Sequence, residues 1–102
     1  MRYQLVIQWP SSMITTYDTM IEIENVLIET LSSENEIEGH DNGAEEVNIF
    51  IHTNNALKTF DEVKAILGKS AYWEGVKVAY REIVKSQYIV LWPVGFEGFN
   101  VA

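Results

Sequence analysis

The chain has 102 residues, no cysteine, 15 acids against seven Lys and Arg, and a formal net charge of −8. Its length fits one compact domain, and 47% hydrophobic with 22% charged residues is a globular composition, not a disordered one. The missing cysteines exclude disulfides, thiolate metal sites and Cys nucleophiles, and no apolar run approaches the roughly 18 residues of a membrane-spanning helix. Met1–Leu5 lacks the basic-then-apolar layout of a secretion signal, so a cytoplasmic location is expected.

The first predicted element is a strand over Arg2–Trp9. Tyr3, Leu5, Ile7 and Trp9 alternate with Arg2, Gln4 and Gln8, Val6 being the exception, and Pro10 stops the run. That pattern predicts a strand buried on one side only. Thr15–Leu31 predicts a helix, with Thr15, Thr16 or Asp18 available as its cap. At about 100° per residue, Tyr17, Met20, Ile21, Leu27, Ile28 and Leu31 share one face and Asp18, Glu22, Asn25 and Glu29 the other. Two strands follow, Glu36–His40 and Glu46–Thr53, joined through Asp41-Asn42-Gly43-Ala44. Asn-Gly is a strong hairpin signal, because a type I′ turn needs positive φ at both central residues. The second of these strands is dense in β-branched residues and predicted to be central.

A second helix is predicted over Thr53–Gly68, capped by Asn54 or Asn55 and ended by Gly68 as a left-handed residue, with Ala56, Phe60, Val63 and Leu67 as its buried stripe. Gly75–Arg81 alternates again, and Tyr88–Trp92 is a last short strand stopped by Pro93. The order β-α-β-β-α-β plus a C-terminal strand is that of the ferredoxin-like α+β sandwich. It predicts an antiparallel sheet with both helices on one face and the first and third strands in the middle. Phe96, Phe99 and Val101 in the tail are suited either to cover an open sheet edge or to pack on a second copy of the chain, which leaves a homodimer open.

Charge is unevenly spread along the chain. Residues 18–46 hold ten acids and no Lys or Arg, a charge of −10, while the rest hold seven bases and five acids. A field of one sign repels nucleic acid and anionic membrane and attracts cationic partners. Neither of the first two is therefore an expected partner.

Glu24 is the residue most out of place. It falls between Met20, Leu27 and Ile28 on the apolar side of its helix, where a carboxylate must be neutral, hydrogen-bonded or ion-paired. Its expected partner is a Tyr hydroxyl, an Arg or a backbone amide. His52, on the central strand, makes the best acid–base pair with Glu24 if both face the helices. The hairpin gathers Glu38, His40, Asp41, Glu45, Glu46 and Asn48. It lacks EF-hand spacing and a second His near His40, so no metal and no cofactor are expected. No nucleophile elbow, G-x-G-x-x-G or P-loop lysine is present, and no catalytic residue is assigned.

Gly39-His40-Asp41-x-Gly43, Glu46-x-Asn48-Ile49-Phe50-Ile51 and Leu91-Trp92-Pro93 resemble segments of small acidic bacterial proteins of ferredoxin-like fold. Some acidic proteins of this size are immunity proteins of contact-dependent or polymorphic toxin systems. The resemblance implies a non-enzymatic protein that binds a basic toxin domain, and it transfers no catalytic residue. The expected partner-binding residues are Asp18, Glu22, Glu29, Glu36, Glu38, His40, Asp41, Glu45 and Glu46, with Val26 and Ile37 among the apolar anchors. The alternative reading is a small-molecule-binding or regulatory domain with its ligand near Glu24.

Overall fold

Five strands and two helices arise from these patterns. The computed structural model describes residues 2–13, 17–32, 35–42, 45–96, 99 and 101, with the backbone alone for Tyr17 and Asn42. In chain order the elements are β1 (Tyr3–Pro10), α1 (Tyr17–Thr30), β2 (Glu36–Asn42), β3 (Glu46–Thr53), α2 (Ala56–Leu67), a 3₁₀ turn (Ala71–Trp73), β4 (Lys77–Glu82) and β5 (Ile89–Trp92). The fold is α+β, with one antiparallel sheet in the order β2-β3-β1-β4-β5. Strands β1 and β3 are neighbours inside it, as expected.

Both helices lie on one face. Met20, Ile23 and Leu27 of α1 and Val63 and Leu67 of α2 join Leu5, Ile7, Trp9, Val47, Ile49, Ile51, Val76 and Val78 in a single core. The helices divide the sheet between them. Helix α1 packs on β2, and α2 packs on β1 and the 3₁₀ turn. At the far side Trp73 stacks on Trp92 with centroids 5.5 Å apart, and Lys64 of α2 lies over Trp92. Asn55 caps α2 by accepting from the Lys58 N–H at 3.1 Å.

Several expectations need correction. Strand β1 is covered on both faces: Gln4, Val6 and Gln8 point away from the helices, yet all three are buried. Phe96 covers Lys77, the cross-strand neighbour of Gln8, at 4.7 Å, and Phe99 packs on Tyr88 at 5.2 Å. Phe96 and Phe99 thus pack on side chains of the face the helices leave open, and the alternation misled because it registers polarity, not coverage. Helix α1 buries Met20, Ile23 and Leu27, while Ile28 stays 59% exposed. The helix sits over the outermost strand, so its flank overhangs the sheet. Gly68 is right-handed (φ −62°), donating its N–H to the Lys64 carbonyl at 2.7 Å, and a Cβ there would collide with that carbonyl oxygen. Asp18 lies within the first turn of α1 and does not precede it. Thr15, Thr16, Glu34, Gly43, Ala44 and Glu97 lie outside the described residues.

Candidate functional site

The edge formed by β2 and α1 carries most of the chain's early acids, and a β-bulge decides where each side chain goes. Strict alternation puts Glu36, Glu38 and His40 on one face. Instead the register shifts between Ile37 and Gly39, so that Glu36 opposes His52, Gly39 opposes Phe50 and His40 opposes Ile49. Ile49 belongs to the core, so His40 faces the helices, whereas His52 and Phe50 face away. Gly39 takes φ +148°, a conformation that favours glycine.

The bulge moves His40 to the helix side and leaves Glu38 with His52, which gives two carboxylate–histidine pairs on opposite faces. On the helix side, Glu24 is 9% exposed and its Oε1 meets His40 Nδ1 at 2.5 Å. The carboxylate that interrupts the apolar stripe is therefore satisfied within the chain, by an imidazole instead of the expected Tyr, Arg or amide. On the other face, His52 Nε2 lies 2.7 Å from Glu38 Oε2. That same oxygen accepts from Gln4 Nε2 at 3.2 Å, while Gln4 Oε1 accepts from Arg81 Nε at 3.0 Å and from the Tyr88 hydroxyl at 3.1 Å. This chain of polar contacts ties β2, β3, β1 and β4 together with the segment that follows β4. His52 and Glu24 point to opposite faces, so the acid–base pair they promised does not form.

The remaining acids stay on the surface. Asp18, Glu22, Glu29, Glu36, Asp41 and Glu45 are exposed, and among the described residues none is ion-paired with a Lys or Arg. Asp18, Glu22 and Glu29 line α1, and Glu36 and Asp41 lie on the opposite side of β2. They form a ridge wrapped around one edge of the sheet, not a flat patch. The seven bases sit just before β1, on α2 and the turn after it, on β4 and on the turn after that: Arg2, Lys58, Lys64, Lys69, Lys77, Arg81 and Lys85. Glu46 is half-buried at the start of β3.

Apolar side chains interrupt the ridge. Val26 is 40% exposed, and Ile28 lines a hollow of about 330 Å³ with Leu27, Leu31, Glu36 and Ile37. Sequence reasoning missed this hollow, because it placed Ile28 in the core. No group of three His, Asp or Glu among the described residues is arranged to hold a metal ion, since the bulge sends His40 and its neighbouring carboxylates to different faces. No helix of the described residues is long and apolar enough to cross a membrane. No family model, no curated protein and no solved structure matches this chain.

Proposed function

We propose that the chain is a non-enzymatic, ferredoxin-like interaction module whose α1–β2 ridge docks a basic protein. A toxin domain neutralised by occlusion is the most concrete partner. The antiparallel order β2-β3-β1-β4-β5 with both helices on one face is consistent with a ferredoxin-like layout that carries an extra strand, which supports this reading. Fold alone does not select a function. The observation that carries the proposal is the placement of charge: six exposed carboxylates on α1, β2 and the turn before β3, none paired with a Lys or Arg among the described residues, whereas α2 and β4 carry bases together with Asp61, Glu62 and Glu82.

The mechanism has two stages. The anionic ridge attracts a cationic surface over a range set by ionic strength, which raises the rate of encounter. Exposed ion pairs each contribute only about 0–1 kcal/mol, so residence on the surface requires apolar contacts as well. Val26 and Ile28, with the hollow beside Ile37, supply those contacts within the ridge. A cytoplasmic setting fits this role. The ligand site near Glu24 has less support, because the Glu24 carboxylate is already held by His40.

The test uses the immobilised chain beside a Glu22→Lys, Glu29→Lys, Glu36→Lys variant, both exposed to proteins of a host that produces the chain. The expected result is capture of a basic protein by the first, released by added salt and absent from the second. Capture that survives the charge reversal would contradict the proposal.

A further inference from the structure

Strand β2 is outermost in the sheet, and among the described residues β3 is the only strand that pairs with it. An outer strand presents a row of main-chain N–H and C=O groups that another extended segment can complete. The two faces of β2 differ in chemistry along that edge. Ile37 opposes the core residue Ile51 and so faces the helices. Glu36 opposes His52 and Asp41 opposes Asn48, so both carboxylates face away, as does Glu38 beside His52. Glu36 and Asp41 are exposed, and neither is paired with a Lys or Arg among the described residues.

The helix side of the same edge is apolar. Ile28, on the flank of α1 that overhangs β2, is 59% exposed. With Leu27, Leu31 and Ile37 it walls the hollow of about 330 Å³ that ends at Glu36. One end of this hollow is tied to α2. The Ser32 N–H donates to Glu62 Oε1 at 2.9 Å, and the Ser32 hydroxyl donates to Glu62 Oε2 at 3.2 Å. Asn35 Nδ2 donates to the Ser32 carbonyl at 3.2 Å, while Asn35 Oδ1 accepts from the Thr59 hydroxyl at 2.5 Å. The shape of the hollow is thus set by the chain's own contacts, which lowers the cost of filling it.

We propose that a strand of the basic partner, alternating cationic with aliphatic side chains, adds to the outer edge of β2. The inference rests on the interaction reading above and gives it a geometry. Successive side chains of a strand point to opposite faces of the sheet. A strand lying beside β2 therefore sends every second side chain toward Glu36 and Asp41, and those between toward Ile37 and the hollow. Cations match the first set and aliphatic groups the second. The buried aliphatic groups supply the affinity that exposed ion pairs lack. A second copy of this chain does not fit the same edge, because it would bring Glu36, Glu38 and Asp41 against their own equivalents. The acids that keep two copies apart thus admit a cationic strand.

The experiment titrates the isotope-labelled chain with the peptide acetyl-Lys-Leu-Lys-Leu-Lys-amide and with two controls. One is acetyl-Lys-Lys-Leu-Leu-Lys-amide, which keeps the composition and breaks the alternation. The other is the alternating peptide N-methylated throughout, which keeps the side chains and removes the main-chain donors. The expected result is saturable binding of the alternating peptide, with slowed amide exchange in β2 and main-chain Overhauser contacts between peptide and β2. Both controls are expected to bind about tenfold more weakly or worse. Ile28→Ser, which alters an exposed wall of the hollow, is expected to weaken the alternating peptide about tenfold, the loss of burying one aliphatic side chain. Controls that bind as tightly, main-chain contacts absent from β2, or an Ile28→Ser variant without effect overturn the added strand. A fluorescent oligolysine peptide, measured in parallel, separates the two proposals. Oligolysine bound along α1 and β2 with no gain from the alternating peptide defeats the strand alone. An alternating peptide paired to β2 on a chain that ignores oligolysine defeats the ridge, and a chain that binds neither defeats both.

Discussion

Gly39 governs the candidate site more than any charged residue does. Its φ of +148° lets β2 gain an extra residue, which turns His40 toward Glu24 while Glu38 keeps the face of His52. A side chain at this position meets no atom within 4 Å, so the cost of Gly39→Ala is purely conformational. A loss of about 1–3 kcal/mol in denaturant unfolding is expected, with altered His40 ring shifts as the bulge relaxes. Glu24→Ala tests the buried pair separately. It removes the carboxylate that meets His40 Nδ1 at 2.5 Å. The expected destabilisation is about 1–3 kcal/mol, with oligolysine binding unchanged, because Glu24 lies beneath the ridge. That Glu24 must be satisfied was legible from its place on the helical wheel. That His40 would satisfy it was not, because the two residues meet only through a bulge that depends on the cross-strand partner.

At the scale of elements, local signals were reliable where their cause is local. Asn55 lies at the start of α2 and accepts from Lys58 N, as an N-cap does. Asn55→Ala is expected to cost about 1 kcal/mol, measured by thermal or denaturant unfolding. Strand β3 begins and ends where its β-branched run does. The coverage of β1 was illegible for the opposite reason. Gln4 and Gln8 read as solvent-facing, but Gln4 is held by Glu38, Arg81 and Tyr88 and Gln8 by Asn48, partners 34 to 84 residues away. Tail residues Phe96 and Phe99 rest on Lys77 and Tyr88. The Tyr88 hydroxyl bonds to Gln4, so Phe99 holds one end of the polar chain that runs to His52. Phe99→Ala is expected to cost about 1 kcal/mol or more and to speed amide exchange in β1 and β4. Unchanged exchange there would detach the tail from the network.

Across the whole molecule the acids that stand without bases gather around β2 and α1, whereas α2 and β4 carry bases together with Asp61, Glu62 and Glu82. The run of ten acids without a base was plain in the sequence; its grouping along one edge follows from β2 being outermost in the sheet. Such grouping opposes folding through self-repulsion, so added salt is expected to raise the unfolding temperature of this chain. Its compensation would be an encounter surface. The direct measurement is the association rate of a fluorescent oligolysine peptide with the chain, from low to physiological ionic strength, with amide shifts recorded on the complex. The expected result is a steep fall in rate as salt rises, with the shifts confined to α1, β2 and the turn before β3. A rate indifferent to salt, or shifts centred on α2 and β4, would contradict the account.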